Sequence, residues 1–108
     1  MSEVTVNEGQ GGSSVEARPG DRVIVLLEEN PTSGYRWDFD RLDRQLLELQ
    51  GSDFVPADDT QLGGGGTRRV TLLVKSTGSS HLALKLWRDW EGEGSVTRRF
   101  DVTIEARL

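Results

Sequence analysis

The apolar residues of this chain recur at every second position, in short runs separated by turn-forming residues. The clearest runs are Val70-Leu72-Val74, Leu82-Leu84-Leu86 and Phe100-Val102-Ile104. A period of two is typical of a β-strand with one buried face, because successive side chains point to opposite sides of the strand. Glycine, proline, asparagine and serine separate the runs, as they do between strands of a sheet. The pattern predicts an all-β protein, an antiparallel sandwich or barrel of six or seven short strands.

A single stretch has the period of a helix instead. Three leucines between Asp38 and Gly51 are spaced at i, i+4 and i+7: Leu42, Leu46 and Leu49. This spacing places them on one face of an α-helix. We therefore predict one short helical crossover between two strands.

The N-terminal residues 1–14 predict a loose edge strand followed by a flexible turn. Val4 and Val6 alternate with polar residues, and a glycine- and serine-rich segment follows them. No linker, repeat or low-complexity tail interrupts the chain, so we predict a single domain spanning residues 1–108. Two arginine pairs, Arg68-Arg69 and Arg98-Arg99, are predicted to face outward.

Composition excludes several classes of function. The 13 Lys and Arg residues against 18 Asp and Glu residues give a net charge of −5, which disfavours nucleic acid as a partner. The chain has no cysteine for a disulfide or a thiolate site, and His81 is its one histidine. No apolar stretch approaches the roughly 18 residues that a membrane span requires. We expect no cofactor, no metal, no nucleic acid and no membrane partner.

An enzyme is not expected either, and neither is a small-molecule substrate. Asp58 and Asp59 are adjacent in sequence, so their carboxylates point to opposite sides of an extended segment. No carboxylate stands at a suggestive spacing from His81. The sequence therefore offers no acid and base set for catalysis.

The N-terminal segment does not have the features of a signal peptide. It is polar and carries Glu3 and Glu8, whereas a signal peptide has a basic start and an apolar middle. The sequence as written predicts a cytoplasmic protein, and a periplasmic or secreted one if a leader has been removed.

The first of three unusual connections is Asn30-Pro31-Thr32-Ser33-Gly34-Tyr35. Pro31 fixes its own φ, and Gly34 can adopt positive φ. The hydroxyls of Thr32 and Ser33 can bond to nearby backbone groups. These residues predict a stiff loop, which fits an ordinary turn between strands as well as a binding loop.

The other two connections are rich in glycine and in tryptophan. Gly63-Gly64-Gly65-Gly66-Thr67 lacks the Gly-Lys-Ser/Thr of a phosphate cradle. Its glycines allow a partner's backbone to approach closely, and they suit a flexible hairpin tip equally well. Trp87-Arg88-Asp89-Trp90-Glu91-Gly92 holds the tryptophan and arginine that are enriched at interface hot spots, although a tryptophan here could also cap the sandwich.

In this order the three segments resemble the chagasin-type inhibitors of papain-like cysteine proteases. That family carries Asn-Pro-Thr-Thr-Gly-Tyr-x-Trp, then Gly-x-Gly-Gly, then Arg-Pro-Trp. Here the first motif ends at Trp37 and has Ser33 in place of the second threonine, and the third motif has Asp89 in place of proline. The resemblance runs from about Val15 to Ile104. It implies an immunoglobulin-like antiparallel β-sandwich of six to eight strands.

The resemblance also implies a function. The protein would be a reversible, tight-binding inhibitor, active as a monomer, whose three loops occlude the active-site cleft of a papain-like cysteine protease. The residues implied to bind the protease are Asn30, Pro31, Thr32, Ser33, Gly34, Tyr35, Gly63, Gly64, Gly65, Gly66, Arg88, Asp89 and Trp90. Of these, residues 32–34 would cover the catalytic cysteine, and the other two loops would grip the cleft on either side.

Two alternatives remain from the residues alone. One is a non-inhibitory structural sandwich whose loops are only turns. The other is a carbohydrate-binding module that stacks sugars on Trp87 and Trp90.

Overall fold

The computed structural model describes residues 2–57 and 65–108, which form two β-sheets packed face to face. The strands are β1 (Glu3–Asn7), β2 (Ser14–Ala17), β3 (Arg22–Glu29), β4 (Arg36–Arg41), β5 (Leu47–Pro56), β6 (Gly66–Val74), β7 (Gly78–Trp87) and β8 (Arg98–Ala106). Single 3₁₀ turns lie at Glu8–Gln10, Pro31–Ser33, Asp89–Glu91 and Glu93–Ser95. No helix in the described residues is long and apolar enough to cross a membrane. The predicted all-β sandwich is confirmed.

The two sheets bury the alternating apolar residues between them. One sheet has the order β1-β3-β6-β5 and the other has the order β2-β8-β7-β4. Along β7, Leu82, Leu84 and Leu86 are buried while the residues between them are half-exposed. Fully burying a side chain of this size stabilises the fold by roughly 1.5–3 kcal/mol. Burial of these side chains therefore holds the two sheets together and fixes the strand ends from which the connecting loops start.

The predicted helical crossover is wrong. β4 ends at Arg41, and the chain then makes a turn in which the backbone N–H of Leu47 donates to the Asp43 carbonyl oxygen over 2.9 Å. β5 begins at Leu47 and continues for ten residues. A segment that looked helical in sequence is thus a turn followed by a long strand.

Pairing with β6 explains why the strand forms. β5 follows β6 over its whole length, with a register shift between Leu49 and Gly51. The three leucines of the helical pattern do not share a face, since Leu46 is buried, Leu42 is half-buried and Leu49 is 37% exposed. An isolated helix of about three turns is marginal in water, so the long ladder with β6 determines the structure.

The sandwich is also not wholly antiparallel. β1 pairs in parallel with β3, and β2 pairs in parallel with β8. The N-terminal segment therefore supplies an edge strand to each sheet and passes from one sheet to the other through the Glu8–Gln10 turn. Asn7 caps that turn, because its Oδ1 accepts from the Gly9 N–H at 3.1 Å while its own N–H donates to Gln10 Oε1 at 2.9 Å. The segment predicted to be a flexible turn is a capped 3₁₀ turn.

The turn before β3 is held by a carboxylate. Asp21 accepts from the backbone N–H of Arg18 at 3.0 Å and from the N–H and hydroxyl of Ser2 at 3.2 and 3.0 Å. These donors, and first of all the Arg18 N–H, hold the pKa of Asp21 below its ordinary value of 3.8. This turn lies at the start of β3, at the opposite end of the molecule from the loop that follows β3.

Candidate functional site

Strand register brings three connections to one end of the sandwich. Glu29 at the end of β3 pairs with Gly66 at the start of β6, and Pro56 at the end of β5 pairs with the same glycine. In the other sheet, Arg36 at the start of β4 pairs with Trp87 at the end of β7. We refer to residues 30–35 as loop 1, residues 57–65 as loop 2 and residues 88–97 as loop 3. All three loops connect strand ends that lie at the same end of the sandwich.

Loop 1 is stiffened by its own side chains. Asn30 Oδ1 accepts from the backbone N–H and the hydroxyl of Thr32, at 3.1 and 2.7 Å. The Ser33 hydroxyl donates to the Asn30 carbonyl oxygen at 2.7 Å, and it accepts from the Tyr35 N–H at 3.2 Å. Pro31 occupies the first turn of the 3₁₀ segment, where its fixed φ suits the geometry. The loop therefore has a defined shape before any partner arrives.

Loop 1 and loop 3 are joined by an arginine and a tryptophan. Arg88 donates from Nη2 and Nε to the Ser33 carbonyl oxygen, at 2.9 and 3.3 Å, and its guanidinium lies 4.4 Å from the centroid of the Tyr35 ring. Gly34 has a φ of 84°, and a Cβ placed on it would lie 3.1 Å from the Trp90 ring. Position 34 thus requires glycine for two reasons: the backbone is left-handed there, and the Trp90 ring approaches closely.

Among the residues that the structure describes at this end of the molecule, Trp90 is the most exposed large apolar side chain. Its surface is 68% exposed, although one edge of the ring lies against Gly34. The neighbouring Asp89 and Glu91 are also exposed, and Glu91 pairs with Arg88 at 3.5 Å. An exposed tryptophan held in place by a second loop has the chemistry of an interface anchor.

Loop 2 contacts loop 1 through its last glycine. A Cβ on Gly65 would lie 3.3 Å from the Glu29 carbonyl oxygen and 3.8 Å from Asn30 Cβ. A Cβ on Gly66 would lie only 2.3 Å from the Val55 carbonyl oxygen, which no side chain can accommodate without a backbone shift. The absence of side chains therefore lets Gly65 lie close to the start of loop 1, and Gly66 close to β5.

A buried ion pair supports the base of loop 1. Glu29 is 2% exposed, and its carboxylate accepts from Arg68 Nη2 at 2.7 Å and Nε at 3.1 Å. The other carboxylate oxygen accepts from the Trp37 backbone N–H at 2.9 Å. Arg68 is therefore turned toward this carboxylate and largely buried, and the prediction that it faces outward is wrong. The cause is the buried carboxylate, since such a group requires a cationic partner.

Loop 3 is tied to the outer face of its sheet. Lys85 Nζ lies 2.5 Å from Glu93 Oε2 and 3.8 Å from the centroid of the Trp87 ring. The hydrogen bond to Glu93 raises the pKa of Lys85, and the hydrogen bonds from Lys85 and then Arg99 lower the pKa of Glu93. Lys85 covers the Trp87 ring, so the two tryptophans do not form the pair of free stacking faces that a carbohydrate-binding module would use.

The structure brings most of the predicted site residues together. Asn30, Pro31, Thr32, Ser33, Gly34, Tyr35, Gly65, Gly66, Arg88, Asp89 and Trp90 all lie in or beside the three loops at one end. Gly63 and Gly64 lie outside the described residues, as do Asp58 and Asp59.

Two charge pairs were not predicted from the sequence. Glu29 and Arg68 are 39 residues apart, and the link between them is the β3–β6 ladder, which local pattern does not reveal. His81 also has a carboxylate partner, Asp101, 2.7 Å away across the β7–β8 ladder.

Within residues 2–57 and 65–108, no three His, Cys, Asp or Glu side chains are grouped so that they could hold a metal ion.

Comparison with known proteins finds relatives in sequence and in fold. The chain is 28% identical over 105 residues to chagasin from Trypanosoma cruzi, a match that covers 94% of this chain and 96% of chagasin. The crystal structure of the cysteine protease inhibitor EhICP2 from Entamoeba histolytica superposes with a TM-score of 0.84 at 17% identity, covering 98% of this chain and 96% of that one. PbICP-C, solved in complex with falcipain-2, superposes with a TM-score of 0.58 at 15% identity, covering 97% and 89% of the two chains. These two structures show the same fold.

The family assignment covers most of the sequence. Residues 16–104 match the family described as chagasin family peptidase inhibitor I42. That range includes all three loops and the strands that carry them. This chain therefore belongs to the chagasin family of peptidase inhibitors.

Proposed function

We propose that this protein inhibits papain-like cysteine proteases by inserting loops 1, 2 and 3 together into the active-site cleft. The observation that carries the proposal is the direct contact between loops 1 and 3, where Arg88 bonds to the Ser33 carbonyl and Trp90 packs on Gly34. A relative of the same fold, PbICP-C, has been solved in complex with falcipain-2, which supports a protease as the partner. Loops 1 and 3 already contact each other, and Gly65 lies beside Asn30, so this end of the sandwich would present one surface whose natural complement is a cleft.

Loop 1 would occupy the centre of the cleft without being cleaved. Hydrolysis of a peptide requires its carbonyl carbon to reach a near-attack geometry relative to the nucleophile. Residues 31–33 are instead curled into a 3₁₀ turn that Asn30 caps. The Ser33 carbonyl oxygen is already engaged by Arg88, so it is not free to enter an oxyanion hole. We therefore expect the bound loop to block the catalytic cysteine and remain intact.

Loops 2 and 3 would grip the two walls of the cleft. Gly65, which is half-exposed, would allow main-chain contact with one wall, and Trp90 would anchor the other. Because loop 1 is ordered by its own hydrogen bonds and is tied to loop 3 by Arg88, these two loops lose little conformational entropy on binding. A standard interface buries about 1,600 Å² in total, and a preorganised surface of that size is consistent with nanomolar inhibition by a monomer.

The proposal is tested by titrating papain with the protein in the presence of a fluorogenic peptide substrate. We expect activity to fall to zero near one equivalent, and the apparent inhibition constant to rise in proportion to substrate concentration, as competition requires. Mass spectrometry after prolonged incubation should show the inhibitor uncleaved. Trypsin, which has a serine nucleophile, serves as the control and should stay active. Full papain activity at micromolar protein would refute the proposal.

A further inference from the structure

The Glu8–Gln10 turn stands directly behind the loops, although it precedes all of them in sequence. β1 runs parallel to β3, with Asn7 beside Leu26, so the turn that follows β1 lies beside the last residues of β3. Asn7 caps the turn through both its side-chain oxygen and its backbone N–H. The turn therefore presents its first side chain, that of Glu8, in a defined position near the base of loop 1.

The Glu8 carboxylate contacts the two strands that carry loops 1 and 3. One oxygen accepts from the backbone N–H of Glu28 at 2.8 Å, one residue before the end of β3. The other oxygen pairs with the guanidinium of Arg98, the first residue of β8. Arg98 also lies 3.5 Å from Glu28 Oε1. A single carboxylate thus links the strand that enters loop 1 to the strand that leaves loop 3, across the gap between the two sheets.

Glu28, whose N–H is bound by Glu8, also contacts the strand that follows loop 1. The Glu28 carbonyl oxygen accepts from Trp37 Nε1 at 2.8 Å, and Trp37 lies on β4, which leaves loop 1. Fixing the Glu28 backbone therefore fixes both strands of loop 1 at once. On the side of loop 3, the Thr97 N–H donates to the Leu86 carbonyl at 2.9 Å, next to Arg98.

From these contacts we propose that Glu8 is a positioning residue for inhibition. Its carboxylate holds the bases of loops 1 and 3 at a set separation, so that the loops enter the cleft as one body. The inference rests on the proposed function, and it adds the N-terminal turn as a fourth element of the inhibitory end. Glu8 itself need not touch the protease.

A positioning role predicts more damage to loop order than to overall stability. The side chains of Glu8 and Arg98 are 25% and 45% exposed, and a partly exposed ion pair contributes little to the free energy of folding. A carboxylate that orders two otherwise separate loops raises the fraction of molecules that are competent to bind, and affinity scales with that fraction.

The test compares Glu8→Ala, Glu8→Gln and a control, Glu3→Gln. Glu3 is an exposed acid on β1, the strand that leads into the Glu8–Gln10 turn, and its side chain makes no hydrogen bond or ion pair with the residues that the structure describes. Glu8→Gln keeps an acceptor for the Glu28 N–H but loses the ion pair. We expect the inhibition constant for papain to rise about tenfold in Glu8→Ala and about threefold in Glu8→Gln. Glu3→Gln should match the wild-type protein.

NMR order parameters of the loop amides separate this inference from the proposed function. In Glu8→Ala, the values for Gly34 and Glu91 should fall from about 0.85 toward 0.6, while the urea midpoint changes little. If the wild-type protein fails to inhibit papain, the proposed function is lost but the order parameters still decide the role of Glu8. Unchanged loop order in Glu8→Ala, or an equal loss in Glu3→Gln, overturns the inference. Should the alanine variant not fold, the same comparison in Glu8→Gln decides the matter.

Discussion

Replacing Trp90 by alanine should abolish most of the inhibition and leave the fold intact. Trp90 is 68% exposed in the free protein. A tryptophan buries about 150–250 Å² when fully covered, so covering the exposed part would remove roughly 100–170 Å² from water. At about 25 cal/mol per Å², this corresponds to ~2.5–4 kcal/mol, which lies within the range of measured interface hot spots.

That free energy translates into a large change in the inhibition constant. Since about 1.4 kcal/mol corresponds to a factor of ten, Trp90→Ala should raise the inhibition constant for papain about 60- to 700-fold. Because so little of the ring is buried within the free protein, the free energy of unfolding should change by less than about 1 kcal/mol. The effect should appear mainly as faster dissociation, since mutations within an interface act chiefly on the off-rate.

The assay is a titration of papain in parallel with urea unfolding, on Trp90→Ala, Trp90→Phe and Trp87→Ala. Trp90→Phe keeps an aromatic ring and should lose less inhibition than the alanine variant. Trp87 is a tryptophan of β7 outside the three loops, so Trp87→Ala should keep the wild-type inhibition constant. Equal inhibition by wild type and Trp90→Ala would refute the assignment of Trp90 as the anchor. An equal loss in Trp87→Ala would show that the effect is not specific to the loop.

Three further predictions concern stability and are checked by urea unfolding. Gly66→Ala should destabilise the protein by several kcal/mol or prevent folding, because the added Cβ would meet a carbonyl oxygen at 2.3 Å, whereas Gly94→Ala, with open space around it, should be neutral. Arg68→Ala should lower the free energy of unfolding by about 3–5 kcal/mol, because it leaves a buried carboxylate without its cation; a loss below 1 kcal/mol would contradict this. The Arg18 N–H lowers the pKa of Asp21 in the folded state. The ionised Asp21 carboxylate therefore stabilises the fold at a pH above its unfolded-state pKa, and this stabilisation is lost as the pH falls through the folded-state pKa. In Asp21→Asn, the free energy of unfolding should therefore fall less steeply below about pH 4 than it does in the wild-type protein. The same steepness in both proteins would contradict the assignment.

The stiffness of loop 1 could be predicted from sequence because its hydrogen bonds are local, whereas its role in binding a protease was implied by the family resemblance. In loop 1, Asn30 caps its own turn and Gly34 supplies the left-handed residue, and each of these roles is visible in a few consecutive letters. The period-two runs likewise predicted the strands that form most of the core. Local hydrogen bonding and side-chain alternation depend on near neighbours, so the sequence displays them directly.

The features that sequence did not predict depend on partners far along the chain. Leu42, Leu46 and Leu49 have helical spacing, yet the ladder with β6 outweighs that local preference. Arg68 was expected to face solvent, and it is the buried carboxylate of Glu29 that draws it inward. Neither partner can be identified without the pairing of the strands.

The N-terminal segment is the third such case. Its two strands pair in parallel with β3 and β8, and parallel pairing gives no hairpin signal in sequence. The contact between Glu8 and Arg98 joins residues 90 positions apart. Such a contact becomes visible only when both sheets are in place.

The central claim is that one end of the sandwich, with its three loops, is the surface that meets the protease. Hydrogen exchange of the protein, measured by mass spectrometry with and without one equivalent of papain, tests it most directly. We expect slower exchange in peptides that cover residues 30–35, 65–66 and 88–91, and unchanged exchange in the turns at residues 18–21 and 75–78 at the far end. Protection of the far turns with the three loops unaffected would contradict the account.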